Sequence, residues 1–327
     1  MAQKRKRKKR LRLKSSFKRF LIFFIFFICV GIYTIKESIK IYENFKYRET
    51  YEYKILELGY SKKETTKLIE ILPNDKLDFI LKNEYNETFY NIVNQKYYID
   101  KNFNKYIEYK EYHPKTSYED VIAIVNVHAN LGWYNETYKT NIEDEYLILV
   151  NKFYYLERNY ERIDIESISL QYSYHGNKAA SIVVEQFEKM RTDAKNILNV
   201  NLMINSSYRP YNDQEEIYNE YKKVSLKYAD SYAARPGHSE HQTGLAIDIT
   251  SLQHPYVNEF KISEEYEWLK NNCHKYGFIL RYPDNKEHIT GYNTESWHFR
   301  YVGEKVAKQI YEENITFDEY YAYYIAN

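Results

Sequence analysis

Two short segments carry side chains that could bind a metal ion together. The run HSEHQTGLAIDI, residues 238–249, places His241 in a glycine-bearing loop and Asp248 seven residues later inside an apolar stretch. In an extended strand Leu245, Ile247 and Ile249 share one face, and Ala246, Asp248 and Thr250 share the other. The first face suits a core. The second presents the carboxylate beside the small Ala246. Gly244 permits a tight entry into the strand, so that His241 and Asp248 can approach one cation. A catalytic zinc site uses three protein ligands and keeps a fourth position for water. ESWHFR, residues 295–300, offers the third in His298. Glu295 lies three residues before it. Residues three apart on a regular strand face opposite sides, so Glu295 is expected in a bend before the strand, within the turn-prone GYNTES. His113, His128, His175, His254, His274 and His288 are expected to be surface or capping histidines. His238 is close by but not needed, since one ligand from that loop is enough.

The elements around these residues predict an α+β fold with a small antiparallel sheet and flanking helices. Residues 178–198 carry Ala179, Ala180, Val183, Phe187, Met190, Ala194, Ile197 and Leu198 at helical spacing. VNLMINSSYRP, residues 200–210, reads as a strand ending in a polar turn. Asn212, with Glu215 three residues on, is the expected cap of the next helix. Ser263 is expected to cap a further helix ending near Gly277, where GFILRYP begins a strand. YLILVNKFYYL, residues 146–156, is strand-like in texture.

Toward the N-terminus the composition changes. The chain has 327 residues and a net charge of +1, yet residues 1–19 hold 11 Lys or Arg and no acid. The uncharged FLIFFIFFICVGIYTI, residues 20–35, follows at once; as a helix it rises about 24 Å, a little less than the hydrocarbon core. Basic residues before an apolar segment predict a cytoplasmic N-terminus and an external remainder. No small-residue cleavage pattern follows, so residues 20–36 are expected to be an uncleaved anchor. No nucleic-acid partner is expected for the basic tail. Cys29 and Cys273 are expected on opposite sides of the membrane boundary and unpaired with each other. Residues 37–144 are expected to form a stalk and a small helical region, with a Ser61–Glu64 capping box, Leu68, Ile69 and Leu72 on one face, and Pro73 ending that helix. Residues 145–327 are expected to form the domain that carries the chemistry.

SEHQTGLAIDI followed by ESWHFR, with SSYRPYNDQ upstream, resembles the VanY-type zinc D-alanyl-D-alanine carboxypeptidases, which share a metal-site core with VanX-type dipeptidases and the hedgehog domain. The resemblance covers about residues 145–315. It implies that His241, Asp248 and His298 bind Zn2+ and that Glu295 is the catalytic base. It further implies that Arg209 meets the substrate, that Gln214 and Ser239 line the site, and that Tyr282 stands at a pocket position. The substrate class it implies is the peptidoglycan stem peptide, at a cell membrane. Either L,D-carboxypeptidase or D,D-dipeptidase activity on the same scaffold, or a non-catalytic zinc-bearing wall-binding module, remains an alternative. Two other hydrolase chemistries are excluded. No His-Glu-x-x-His occurs, and the one Ser-x-x-Lys, Ser15 to Lys18, lies in the basic tail.

Overall fold

The computed structural model describes residues 14–174 and 176–326. Residues 1–13 of the basic tail, His175 and Asn327 lie outside the described residues. The chain divides into two units, one ending at Asn94 and the other spanning Gln95–Asn327.

The first unit is helical. Helix α1, Ser15–Arg48, has 34 residues and no buried position. At about 51 Å it is long and apolar enough to cross a membrane. It continues past residue 36 because KESIKIYENFKYR contains neither Gly nor Pro to stop it. Four short helices follow: α2 Tyr51–Glu57, α3 Lys62–Ile71, α4 Asn74–Leu81 and α5 Glu87–Val93. Ser61 and Glu64 form the capping box of α3. Leu68, Leu72, Leu77 and Ile80 are buried, but Ile69, expected beside Leu68, is exposed.

The second unit opens with α6, Phe103–Tyr112, and α7, Tyr118–Asn126. Every residue from Val121 to Asn126 is buried. A helix that is apolar nearly all round must be covered on all sides. Ala123 and Val127 pack against Ile289 and Ala322. The candidate site lies in the unit that spans Gln95–Asn327.

Two small pairings precede the main sheet. Strands β1, Tyr138–Lys139, and β2, Tyr154–Tyr155, are parallel; β3, Ile165–Ser167, and β4, Lys178–Ala180, are antiparallel. The main sheet comprises β5 Leu202–Ser206, β6 Ala246–Ser251, β7 Phe278–Tyr282 and β8 Glu295–Tyr301, in the order β5-β6-β8-β7 and antiparallel throughout. Around it lie α8 Ser181–Leu198, α9 Tyr211–Lys222, α10 Leu226–Tyr232, α11 Val257–Phe260, α12 Glu264–Asn272, α13 Glu287–Thr290, α14 Glu304–Glu313 and α15 Phe317–Tyr324. Leu245, Ile247 and Ile249 pack with Phe299 and with Val183, Phe187 and Met190 of α8. The opposite face of β6 is thereby left for chemistry.

Four local expectations change. Residues 146–156 are buried at Ile148, Leu149, Val150, Phe153 and Leu156, yet contribute only β2 to a strand. Side chains take up the backbone groups that a sheet would have paired. Arg300 donates to the carbonyls of Tyr146 and Ile148, Thr140 to that of Leu149, and Asn151 Oδ1 accepts from the amides of Phe153 and Tyr154. The segment 178–180, expected to be helical, is strand β4. Ile197, assigned to the apolar face of α8, is exposed. Asn212 does not cap α9, which starts at Tyr211 after Pro210; instead Asn212 and Glu215 both accept from Arg158. Ser263 does cap α12, accepting from the amide of Tyr266.

Candidate metal centre

The β6–β8 ladder sets Asp248 directly opposite His298. Asp248 Oδ1 lies 3.2 Å from His298 Nδ1, and its Oδ2 lies 3.5 Å from His241 Nε2. Ligand atoms of the three residues all fall within 4.8 Å of one another, the only group of three so placed among the described residues. His241 arrives on a 3-10 turn, Glu240–Thr243, that ends at Gly244 with φ 70°. A Cβ at Gly244 would lie 2.5 Å from Ile165 Cδ1, the movable end of a side chain, so it is the left-handed backbone angle that favours glycine here.

Both imidazoles are oriented from behind. His241 Nδ1–H donates to the Ser207 carbonyl at 2.7 Å, which leaves the Nε2 lone pair facing Asp248. His298 Nε2 faces Glu240 Oε2 at 3.4 Å, which leaves Nδ1 for the cluster. Metal-binding histidines are held in this way by an acceptor on the far nitrogen. Asp248 Oδ1 is buried and accepts no well-formed hydrogen bond, despite its nearness to Nδ1. Asp248 Oδ1, His241 Nε2 and, once deprotonated, His298 Nδ1 can therefore turn their lone pairs to one point, as they do around a cation.

The charges agree with that arrangement. Burial raises the cost of an ionised Asp248, but His241 and His298 outweigh it and hold the carboxyl far below the usual range. Burial also opposes a charged His298, yet Asp248, Glu240 and Glu295 together push it up to about 9. Burial, followed by the repulsion of Asp248 and Glu240, raises Glu295 to about 7. A proton on His298 supplies the positive charge that the carboxylates demand. Two imidazoles and a carboxylate suit zinc, a borderline cation.

Glu295 does not sit in a bend before the strand. It is the first residue of β8, and the β7–β8 register shifts between the pairs Leu280↔Phe299 and Tyr282↔Glu295. This irregularity lets residues three apart turn to one side, and Glu295 Oε2 lies 3.6 Å from His298 Nδ1. The same distortion brings Trp297 to the cleft wall, while Phe299 stays in the core.

The cleft above the cluster has a volume of about 260 Å³ and is lined by Arg209, Gln214, Ser239, Tyr282 and Glu295 among others. Arg209 follows β5, and its amide donates to the His241 carbonyl at 3.1 Å. Its Nη1 and Nη2 donate to Gln214 Oε1 and Ser206 Oγ, each at 2.8 Å. Gln214 is itself tied to the Ala234 carbonyl at 2.7 Å, so it braces Arg209 as well as lining the cleft. Tyr282 sets its ring 5.0 Å from that of His298. The structure thus brings together all eight side chains singled out in the sequence.

Four charged residues behind the site were not singled out. Glu240 Oε1 accepts from Arg281 Nε at 2.8 Å and from Arg300 Nη1 at 3.1 Å, and Arg281 Nη1 donates to Asp318 Oδ2 at 2.5 Å. All are buried. Arg300 could have been found, because it follows His298 by two on β8 and so shares its face. Asp318 could not, since it reaches the network from α15.

Fold and cluster together define a peptidase scaffold, a small antiparallel sheet bearing a His–Asp–His group at the base of a cleft. Residues 176–304 match the VanY D-alanyl-D-alanine carboxypeptidase family. YodJ of Bacillus subtilis is 40% identical over 188 residues, 54% of this chain and 66% of that protein. VanXYC of Enterococcus gallinarum, a bifunctional D-Ala-D-Ala dipeptidase and D-Ala-D-Ala carboxypeptidase, is 33% identical over 183 residues, 54% of this chain and 94% of that one. The solved structure of the LdcB LD-carboxypeptidase superposes with a TM-score of 0.54 at 36% identity, over 57% of this chain and 90% of that one. The chain belongs to the VanY carboxypeptidase family. It spans just under two thirds of the length of YodJ.

Proposed function

We propose that this chain is a zinc-dependent carboxypeptidase that removes the C-terminal residue from peptidoglycan stem peptides, anchored by α1 with its site outside the cytoplasmic membrane. In this reading residues 1–19 are cytoplasmic, residues 20–36 cross the bilayer, and the remainder faces the wall. The observation that carries the proposal is the cluster of His241, Asp248 and His298, whose ligand atoms lie within 4.8 Å of one another, with Glu295 beside it.

Zinc held there would lower the pKa of a bound water to about 7 and polarise the scissile carbonyl. Glu295 accepts the water proton on its carboxylate and passes it to the leaving amine. Arg209 uses two of its five N–H donors on Gln214 and Ser206. One proton remains on each Nη to fork onto a terminal carboxylate. Ser239 and Tyr282 border the same space.

A second reading, L,D-carboxypeptidase action, is favoured by the 36% identity to LdcB. Full-length protein in detergent, incubated with a stem pentapeptide, a tetrapeptide and the terminal dipeptide, separates the readings by mass spectrometry. Loss of one residue from the pentapeptide marks the D,D activity, from the tetrapeptide the L,D activity, and cleavage of the dipeptide a dipeptidase. Chelation should abolish activity and zinc restore it, while β-lactams leave it unchanged because no serine nucleophile takes part. Zinc binding without cleavage of any substrate would leave a wall-binding module.

A further inference from the structure

A second opening, about 510 Å³, adjoins the cleft and is lined by Trp133, Tyr134, Lys152, Lys227, Ser231 and Asn293, among others. Neighbouring residues of two segments line one opening and the other. The end of α10 gives Asp230 and Ser231 to this one and Tyr232 and Ala233 to the cleft; the 291–293 loop gives Gly291 and Asn293 here and Tyr292 there.

Lys152 is the unusual residue in this opening. It is only 4% exposed. Its Nζ donates to the backbone carbonyl of Asp230 at 2.9 Å and lies over three rings, 4.5 Å from that of Tyr292, 5.5 Å from Tyr134 and 5.9 Å from Trp133. Among the described residues no carboxylate pairs with it. The Asp230 carboxylate is already taken by Arg235, at 2.9 and 2.8 Å, and by Tyr218 at 2.7 Å. Ring faces offset part of the desolvation cost of an ammonium, but an ammonium has three donors and only one meets an oxygen. Burial accordingly lowers Lys152 to about 8. Lys227 adds a second positive charge to the lining.

We propose that Lys152 is the floor of an anionic subsite, which takes a carboxylate on the acyl portion of the peptide, upstream of the scissile bond. This rests on the carboxypeptidase reading, since Arg209 then takes the terminal carboxylate and leaves Lys152 to meet the other side of the bond. Ring centres step from His298 to Tyr282 at 5.0 Å and from Tyr282 to Tyr292 at 4.9 Å, and the Lys152 ammonium is 4.5 Å beyond. Those steps bound the distance from the metal ligand to roughly 14 Å, about four extended residues. An acidic peptide is therefore the substrate class, read two to four residues before its C-terminus.

The test is calorimetric binding of synthetic pentapeptides to zinc-loaded, full-length Glu295→Gln protein, which needs no turnover. Peptides in each pair differ only in one carboxyl, free or amidated, placed two, three or four residues before the C-terminus. At one of these places the free form should bind about tenfold tighter or more, as a charge-assisted hydrogen bond requires. Lys152→Met should bring that ratio close to one. Asn293→Asp, a change at an exposed rim position, should do the same by repulsion and does not disturb the buried cage. Equal affinities at every place, no measurable binding of either form, or a preference that survives both substitutions would overturn the proposal. Cleavage by the unsubstituted protein is scored separately. A preference without cleavage keeps the subsite and sinks the carboxypeptidase reading; cleavage without a preference does the reverse.

Discussion

Glu240 stands directly behind His298, its Oε2 3.4 Å from the imidazole Nε2, although 58 residues separate the two in the chain. One carboxylate thus orients a proposed metal ligand with one oxygen and neutralises Arg281 and Arg300 with the other. Glu240→Gln should weaken zinc binding by about 10–100-fold, the usual effect of losing such a support. It also leaves two buried guanidinium groups short of a charge, which should cost on the order of 3–5 kcal/mol. Asp318→Asn provides the control, because it removes a partner of Arg281 without touching His298. It should lower the melting temperature comparably while zinc affinity changes less. Wild-type zinc affinity in Glu240→Gln would remove Glu240 from the site.

Glu295→Gln and His298→Ala should fail differently. Glutamine keeps the size of the side chain but cannot accept the water proton, so turnover should drop by about 10²–10⁴ with zinc retained. His298→Ala leaves two protein ligands where a catalytic site has three. Bound metal should fall sharply, and the melting temperature with it. Elemental analysis beside turnover reads both. A zinc-free Glu295→Gln protein would make Glu295 a ligand; a fully loaded His298→Ala protein would undo the three-ligand site.

Arg209→Lys should be nearly as damaging as Arg209→Ala on peptides with a free C-terminus. A lysine can neither fork onto a carboxylate nor hold both Gln214 and Ser206. The expected loss in kcat/KM corresponds to about 1.5–3 kcal/mol. C-terminally amidated peptides should show little difference among the three proteins. Wild-type kinetics in both variants would make Arg209 a bystander.

His238 gives the fold a pH dependence of its own. Burial pulls its imidazole down to about 4, although Nδ1–H donates to the Asn151 carbonyl at 2.7 Å. The unfolded chain takes up this proton near the ordinary histidine pKa of about 6.5, well before the folded chain does. Its contribution to stability is therefore complete above about 6.5 and is lost as the pH falls toward 4. Melting temperature measured from pH 7.5 to 4 should fall more steeply for the wild type than for His238→Gln. Parallel curves would show that His238 is not held neutral.

The meeting of His241, Asp248 and His298 was legible in the amino-acid sequence because its constraints are local. Alternation in GLAIDIT sends Asp248 and the core residues to opposite faces, and a glycine beside a histidine cluster marks the turn that His241 needs. The same local rules placed α8, β5, α12 and β7 within a few residues. They failed where a backbone or a charge answers to something distant. An apolar run such as 146–156 reports burial but not which partner takes its carbonyls, and here Arg300, about 150 residues away, takes those of Tyr146 and Ile148. The turning of Glu295 toward His298 depends on a slip between two strands that neither strand encodes alone. Which buried carboxylate supports His298, and that α15 helps hold it through Asp318 and Arg281, follow only from packing, because a charge removed from water must find its partner wherever the fold delivers one.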